Sequence, residues 1–226
     1  MIQNLKDLFI YQLQNLYASE NYMLTELPVM IEKAQHGSLK NALDHHLRVT
    51  KEQKERLEKV VSLINKNDSE QQVQLNKEHV CKGMNGLIEE ANNTFEAGVE
   101  KDVTDRAIIA FIQKMEHYEI SSYGTAIAYA HQLHMPKAAE LLRETLNEEY
   151  EADDLLTALA TAGFNKEAIP EDAKLIDETS SGPGTDNNEP TESSSQIHIT
   201  ERTINSPGGR AGTSHRSYGS GESRGH

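Results

Sequence analysis

Apolar residues recur every three to four positions through the first 165 residues, and that period divides the stretch into four long helical segments and one short one. Leu5, Phe9, Leu13, Leu16, Met23, Leu24, Leu27 and Ile31 form one stripe from Asn4 to about His36. Pro28 removes a backbone hydrogen bond within it and predicts a bend, not a stop, because the stripe continues to Ile31. His36-Gly37-Ser38 reads as an ending and a new start: Gly37 is the permissive residue closing the first helix, and Ser38 is the N-cap of the second. Leu39, Leu43, Val49, Leu57, Val60 and Ile64 carry the second helix, from about Leu39 to Ile64. Residues 66–79 are polar and aperiodic, long enough to cross from one end of a bundle to the other. A shorter helix is predicted from Val80 to Glu96; Gly83 and Gly86 weaken it, so it should lean on the bundle. Asp102 reads as the N-cap of a third long helix reaching Leu133, and Pro136 suits the first turn of a fourth that ends at Gly163.

Each long helix interrupts its apolar face near mid-length with groups that do not belong in a core. Glu20 does so on the first, His46 with Thr50 and Gln53 on the second, Glu116 and Glu119 on the third, and Glu149 on the fourth, with Asp153 one turn further on and about 40° round. An unpaired carboxylate buried there costs several kcal/mol unless it is paired, protonated or bound to a metal. Interruptions on four helices can meet at one level of a bundle, and an oxygen-rich cluster with an imidazole is a donor set that iron or manganese accepts. The competing reading is a self-satisfied polar core, with His46 protonated or the carboxyls sharing protons and Tyr118, Tyr123 and Gln53 as donors. His45 and His117 fall on solvated faces, as do Glu144, Glu151 and Asp154; Glu148 sits at the edge of the apolar arc.

Composition changes this picture at the C-terminus. The last 50 residues contain no Leu, Val, Phe or Met and should form a disordered tail (177–226) joined to the bundle by a short connecting segment (166–176). The strand-like Gln196–Thr200 is too short to stand alone. The tail holds 7 acidic and 4 basic residues of a chain whose formal net charge is -14, so the remainder is also acidic, which argues against nucleic acid as a partner. The single cysteine, Cys81, excludes an internal disulfide. No apolar run approaches the roughly 20 residues that span a membrane, and no signal-peptide pattern opens the chain, so the expected location is cytoplasmic. Neither a nucleophilic triad, nor a phosphate-cradling glycine loop, nor zinc-finger spacing competes with the carboxylate cluster. The fold class is all-α: a four-helix bundle with a crossover connection, a short extra helix and a tail.

Four runs make a resemblance specific: Tyr-Ala-Ser-Glu (17–20), Gly-Leu-Ile-Glu-Glu-Ala-Asn (86–92), Lys-Met-Glu-His-Tyr-Glu-Ile-Ser-Ser-Tyr-Gly (114–124) and Ala-Ala-Glu-Leu-Leu-Arg-Glu-Thr-Leu-Asn-Glu-Glu (138–149). Over residues 1 to 165 the chain resembles the YciE/YciF family of bacterial, stress-associated, ferritin-like proteins. The resemblance implies a rubrerythrin-like bundle, a homodimer, and a site for two iron (or manganese) ions with peroxide or oxygen as substrate. Glu20, Glu116, Glu119 and Glu149 stand where the family has interior carboxylates. The second helix departs: where the family carries an inward carboxylate, this chain has Val49 in the run His46-Leu47-Arg48-Val49-Thr50-Lys51. A non-enzymatic dimeric scaffold with a metal-free polar core is the alternative that this departure keeps open.

Overall fold

The computed structural model describes residues 2–67 and 72–164. Among them are α1 (Leu5–Lys33), α2 (Gly37–Asn67), α3 (Lys82–Glu96), α4 (Lys101–Gln132), α5 (Pro136–Leu159) and a closing π-helical turn (Ala160–Phe164), with no strand. The expected tail, its connecting segment and the strand-like Gln196–Thr200 lie outside the described residues.

The helices form where the apolar period put them; their ends are set partly by tertiary contacts. Asn4 caps α1 by accepting the Asp7 N–H at 2.9 Å, and the helix runs through Pro28. It stops at Lys33, short of His36, and α2 starts at Gly37, so Ser38 sits inside the first turn instead of capping it. The connection between the two helices is held from a third: the Asp105 carboxylate of α4 accepts the backbone N–H groups of Gln35 (2.7 Å) and His36 (2.9 Å), both ahead of α2, and also contacts the His36 ring. Asp102 likewise is not a cap. It lies in the first turn of α4 behind Glu100, where a carboxylate still favours the helix dipole. The α4–α5 turn places His134 at φ 57, and the Met135 N–H returns to the Ala130 carbonyl at 2.9 Å.

In cross-section α1, α2, α5 and α4 occupy successive corners of a square, so α1 faces α5 and α2 faces α4 across the diagonals. The end of α1 meets the start of α4 through Asp105, and Tyr17 of α1 reaches Glu58 of α2, so both neighbours run antiparallel to α1. Since α2 and α4 are therefore parallel, the chain must climb back along the bundle between them. Residues 72–81 do so against α1, where Gln14 pairs with both backbone groups of Asn76 and His79 contacts Asn15 at 2.8 Å. α3 then packs on α4 and α1, as expected of a helix that leans on the bundle. Gly83 is required there by close approach: a Cβ would lie 2.6 Å from the Tyr118 ring, whose hydroxyl meets Cys81 Sγ at 2.9 Å.

The core is divided in two. One apolar cluster gathers Met23, Leu27, Met30, Leu43, Ile108, Ile112, Met115 and Leu156; the other gathers Phe9, Leu13, Leu16, Leu57, Val60, Tyr123, Ala126 and Leu142. Between them lies a layer of buried polar side chains.

Candidate metal centre

The layer follows from the helix register. Glu20 lies between Leu16 and Met23, His46 between Leu43 and Leu57, Glu116 and Glu119 between Met115 and Tyr123, and Glu149 between Leu142 and Leu156, so packing the two apolar clusters forces these groups together. Glu20, Glu116 and Glu149 are fully buried, Glu119 is 1% exposed and His46 6%. One donor atom from each of His46, Glu116 and Glu149 falls within 4.8 Å of the others, drawing α2, α4 and α5 onto one point. His46 Nε2 lies 3.0 Å from Glu116 Oε1 across the α2–α4 diagonal, a contact that is close but too poorly aligned to be a hydrogen bond.

Partners for these groups are scarce. The Tyr123 hydroxyl donates to Glu20 Oε1, and Thr50 ties its own hydroxyl to the His46 carbonyl at 2.9 Å. Six carboxylate oxygens remain buried without a hydrogen-bond partner: Glu20 Oε2, both of Glu116, Glu119 Oε1 and both of Glu149. Ser19 Oγ and both amide atoms of Gln53 share that condition. A native core satisfies nine in ten such atoms or more, by protein groups or ordered water; two atoms of Arg106 outside the layer also lack a protein partner, and what marks the layer is that its atoms come from four helices at one level.

Electrostatics respond accordingly. Burial, then the neighbouring Glu116 charge, pushes Glu119 up to about 8. Burial also lifts Glu149 well above the ordinary carboxylate range, with Glu116, Glu119 and Glu20 adding to the effect. Glu20 rises for the same reasons, against the Tyr123 hydrogen bond, which lowers it. For His46 burial works downward, but the facing Glu116 charge and contact outweigh it and the net shift is upward. Burial thus favours the neutral forms of Glu20, Glu119 and Glu149.

Not every candidate joins the group. Asp153 is engaged on the α4–α5 seam, where Gln113 donates to it at 2.9 Å and His117 Nε2 lies 3.2 Å away. His117 is 68% exposed there, in keeping with its place on the polar face. Val49 is half-buried and lines a cavity beside His46. Glu148 is taken by Arg56, whose guanidinium forks onto both its oxygens at 2.8 Å, donates to Thr145 at 2.7 Å and reaches Glu144 at 3.2 Å. Arg56 and Asp105, both buried, were not visible as partners in the helical pattern. The signal for Arg56 was its place three residues after Gln53, at the edge of the same face.

Comparison with known proteins agrees with this architecture. The family described as a domain of unknown function, DUF892, matches residues 4–169. The protein YciF of Escherichia coli K12 is 40% identical over 167 residues, covering 74% of this chain and 96% of its own. The crystal structure of the E. coli stress protein YciF superposes with a TM-score of 0.66 at 39% identity, over 73% of this chain and 99% of that one. YcfI of Rhodopseudomonas palustris, described as a structural protein, superposes with a TM-score of 0.63 at 36% identity, over 69% and 94%. A Xanthomonas campestris protein at 19% identity and TM-score 0.54, over 73% and 99%, shares the fold.

Proposed function

The chain belongs to the DUF892 family, with YciF among its relatives, and from that premise we propose that it is a stress-associated ferritin-like protein whose polar layer binds iron or manganese. The observation that carries this reading is the set of six buried carboxylate oxygens without a protein hydrogen-bond partner, gathered beside an imidazole. His46, Glu116 and Glu149 would hold one ion, and Glu20 with Glu119 supplies donors toward a second. When bound, such an ion supplies redox chemistry toward peroxide or oxygen.

The chain's own part is to orient and to handle protons. Tyr123 fixes Glu20 through one oxygen and leaves the other directed to the layer. The protons that hold Glu20, Glu119 and Glu149 are released on metal binding, so affinity rises with pH. The two apolar clusters above and below lower the local polarity, which strengthens each carboxylate contact. Asp153, committed to Gln113 and His117, stays outside the set.

The alternative is a metal-free scaffold, and two observations favour it: raised carboxyl groups can stay neutral by keeping their protons, and position 49 is apolar. Metal per chain, counted after purification from iron-supplemented cells, separates the readings. Near-stoichiometric iron that falls in Glu116→Ala and rises in Val49→Glu supports the metal centre; below about 0.1 equivalent in every variant, the scaffold stands.

A further inference from the structure

Each seam of the square bundle is closed near the polar layer by a side-chain bridge. Tyr17–Glu58 spans α1–α2, Gln12–Ser122 and Tyr123–Glu20 span α1–α4, and Gln113 with Asp153 and Thr157 spans α4–α5. On the α2–α5 seam the Arg56–Glu148 bridge stands to one side, and beside it a cavity of about 280 Å³ opens toward the surface, with Glu148 on its wall. His46 lines it, so the cavity reaches the carboxylate layer.

The opening has a cause in the sequence. Glu116 is followed one turn later by Glu119, whereas the residues one turn after His46 and Glu149 are Val49 and Ala152. Both line the cavity, and neither fills the space a longer side chain would take. Leu43, Ile112 and Leu156 complete apolar walls, while the polar rim is His45 and Glu151.

We infer that this cavity is the port by which a small uncharged oxidant, of the class of hydrogen peroxide or dioxygen, reaches the site; the inference rests on the metal-centre reading above. Its walls disfavour anions, which would pass apolar surface toward a cluster of four carboxyl groups. A neutral molecule of two heavy atoms meets no such cost and finds His46 at the inner end. With two ferrous ions bound, each would supply one electron to hydrogen peroxide, which would take up two protons as its O–O bond breaks and leave as two waters.

Two readouts test the port. Xenon, a neutral apolar probe, is pressed into crystals of the metal-free protein, and its density is expected between Val49 and Ala152 in wild type and absent in Val49→Trp. Iron-loaded Val49→Trp should bind as much iron as wild type yet be oxidised by hydrogen peroxide about tenfold more slowly or worse. Ala152→Leu, a smaller plug, should show both effects more weakly and serves if the tryptophan variant does not fold. Absence of xenon from the wild-type cavity overturns the port, as does wild-type oxidation by a plugged variant. Absence of iron from wild type overturns the metal-centre reading, and the xenon result then decides alone whether the cavity admits small neutral molecules.

Discussion

Glu148 and Glu149 are consecutive residues of α5 with opposite circumstances. Glu148 keeps a quarter of its side chain in solvent and receives a two-pronged guanidinium from Arg56. Glu149 has no exposure and neither oxygen has a partner. Asp105 belongs with Glu148: it is buried, but two backbone N–H groups and the His36 ring hold its carboxyl below the ordinary range although burial alone would raise it. The fold thus supplies partners to buried carboxylates that serve structure and withholds them from both oxygens of Glu116 and Glu149 in the central layer. A buried carboxylate without partners calls for either a proton or a metal ion.

The largest effect should come from removing a satisfied carboxylate. Glu148→Ala leaves the buried Arg56 guanidinium with only Glu144 and Thr145 and is expected to destabilise the protein by about 2–3 kcal/mol, with metal content unchanged. Glu149→Gln should do the reverse, abolishing metal binding while leaving the metal-free protein within about 1 kcal/mol of wild type at pH 5.5. Urea titration with metal counting on both variants checks the contrast, which collapses if the two behave alike.

Next in size is pH. Carboxyl groups raised in the folded state, such as Glu119 at about 8, contribute stability that is complete below their unfolded value and is lost as pH rises through the folded one. His46, also raised, acts in the same direction. The metal-free protein should therefore melt at a lower temperature at pH 8 than at pH 5.5, and the metal-loaded protein at a higher one; parallel curves would refute the proton–metal exchange. Glu149→Gln, with no proton to hold, should be more stable than metal-free wild type at pH 8. Asp105 has the opposite sign: Asp105→Asn should cost about 1–2 kcal/mol at pH 7, a penalty that shrinks as pH falls through the lowered native value. The smallest effect belongs to His45→Ala and His117→Ala, surface histidines whose loss should stay within about 0.5 kcal/mol and leave metal binding intact.

The sequence made the layer legible because a helix converts spacing into direction: Glu20, His46, Glu116, Glu119 and Glu149 each break an apolar stripe at mid-length, and stripes must face a common core. The same logic placed His117 outward and the short third helix at the margin. What it left hidden depends on contacts between helices. Asp105 holds the α1–α2 connection 70 residues away, and Arg56 buries its stem while its fork finds Glu148. Asp153 lies one turn from Glu149, near enough on a wheel to suggest the site, yet its partners come from the α4–α5 seam. Val49 read as a lost ligand; in three dimensions it is the wall of a cavity, a role that spacing along one helix does not reveal.

The most direct test is anomalous diffraction from crystals soaked in manganese. The account predicts a peak among His46, Glu116 and Glu149 that disappears in Glu149→Gln and persists in Glu148→Gln. Fully soaked wild-type crystals with no peak there, and with hydrogen bonds joining the carboxyl groups instead, would contradict it.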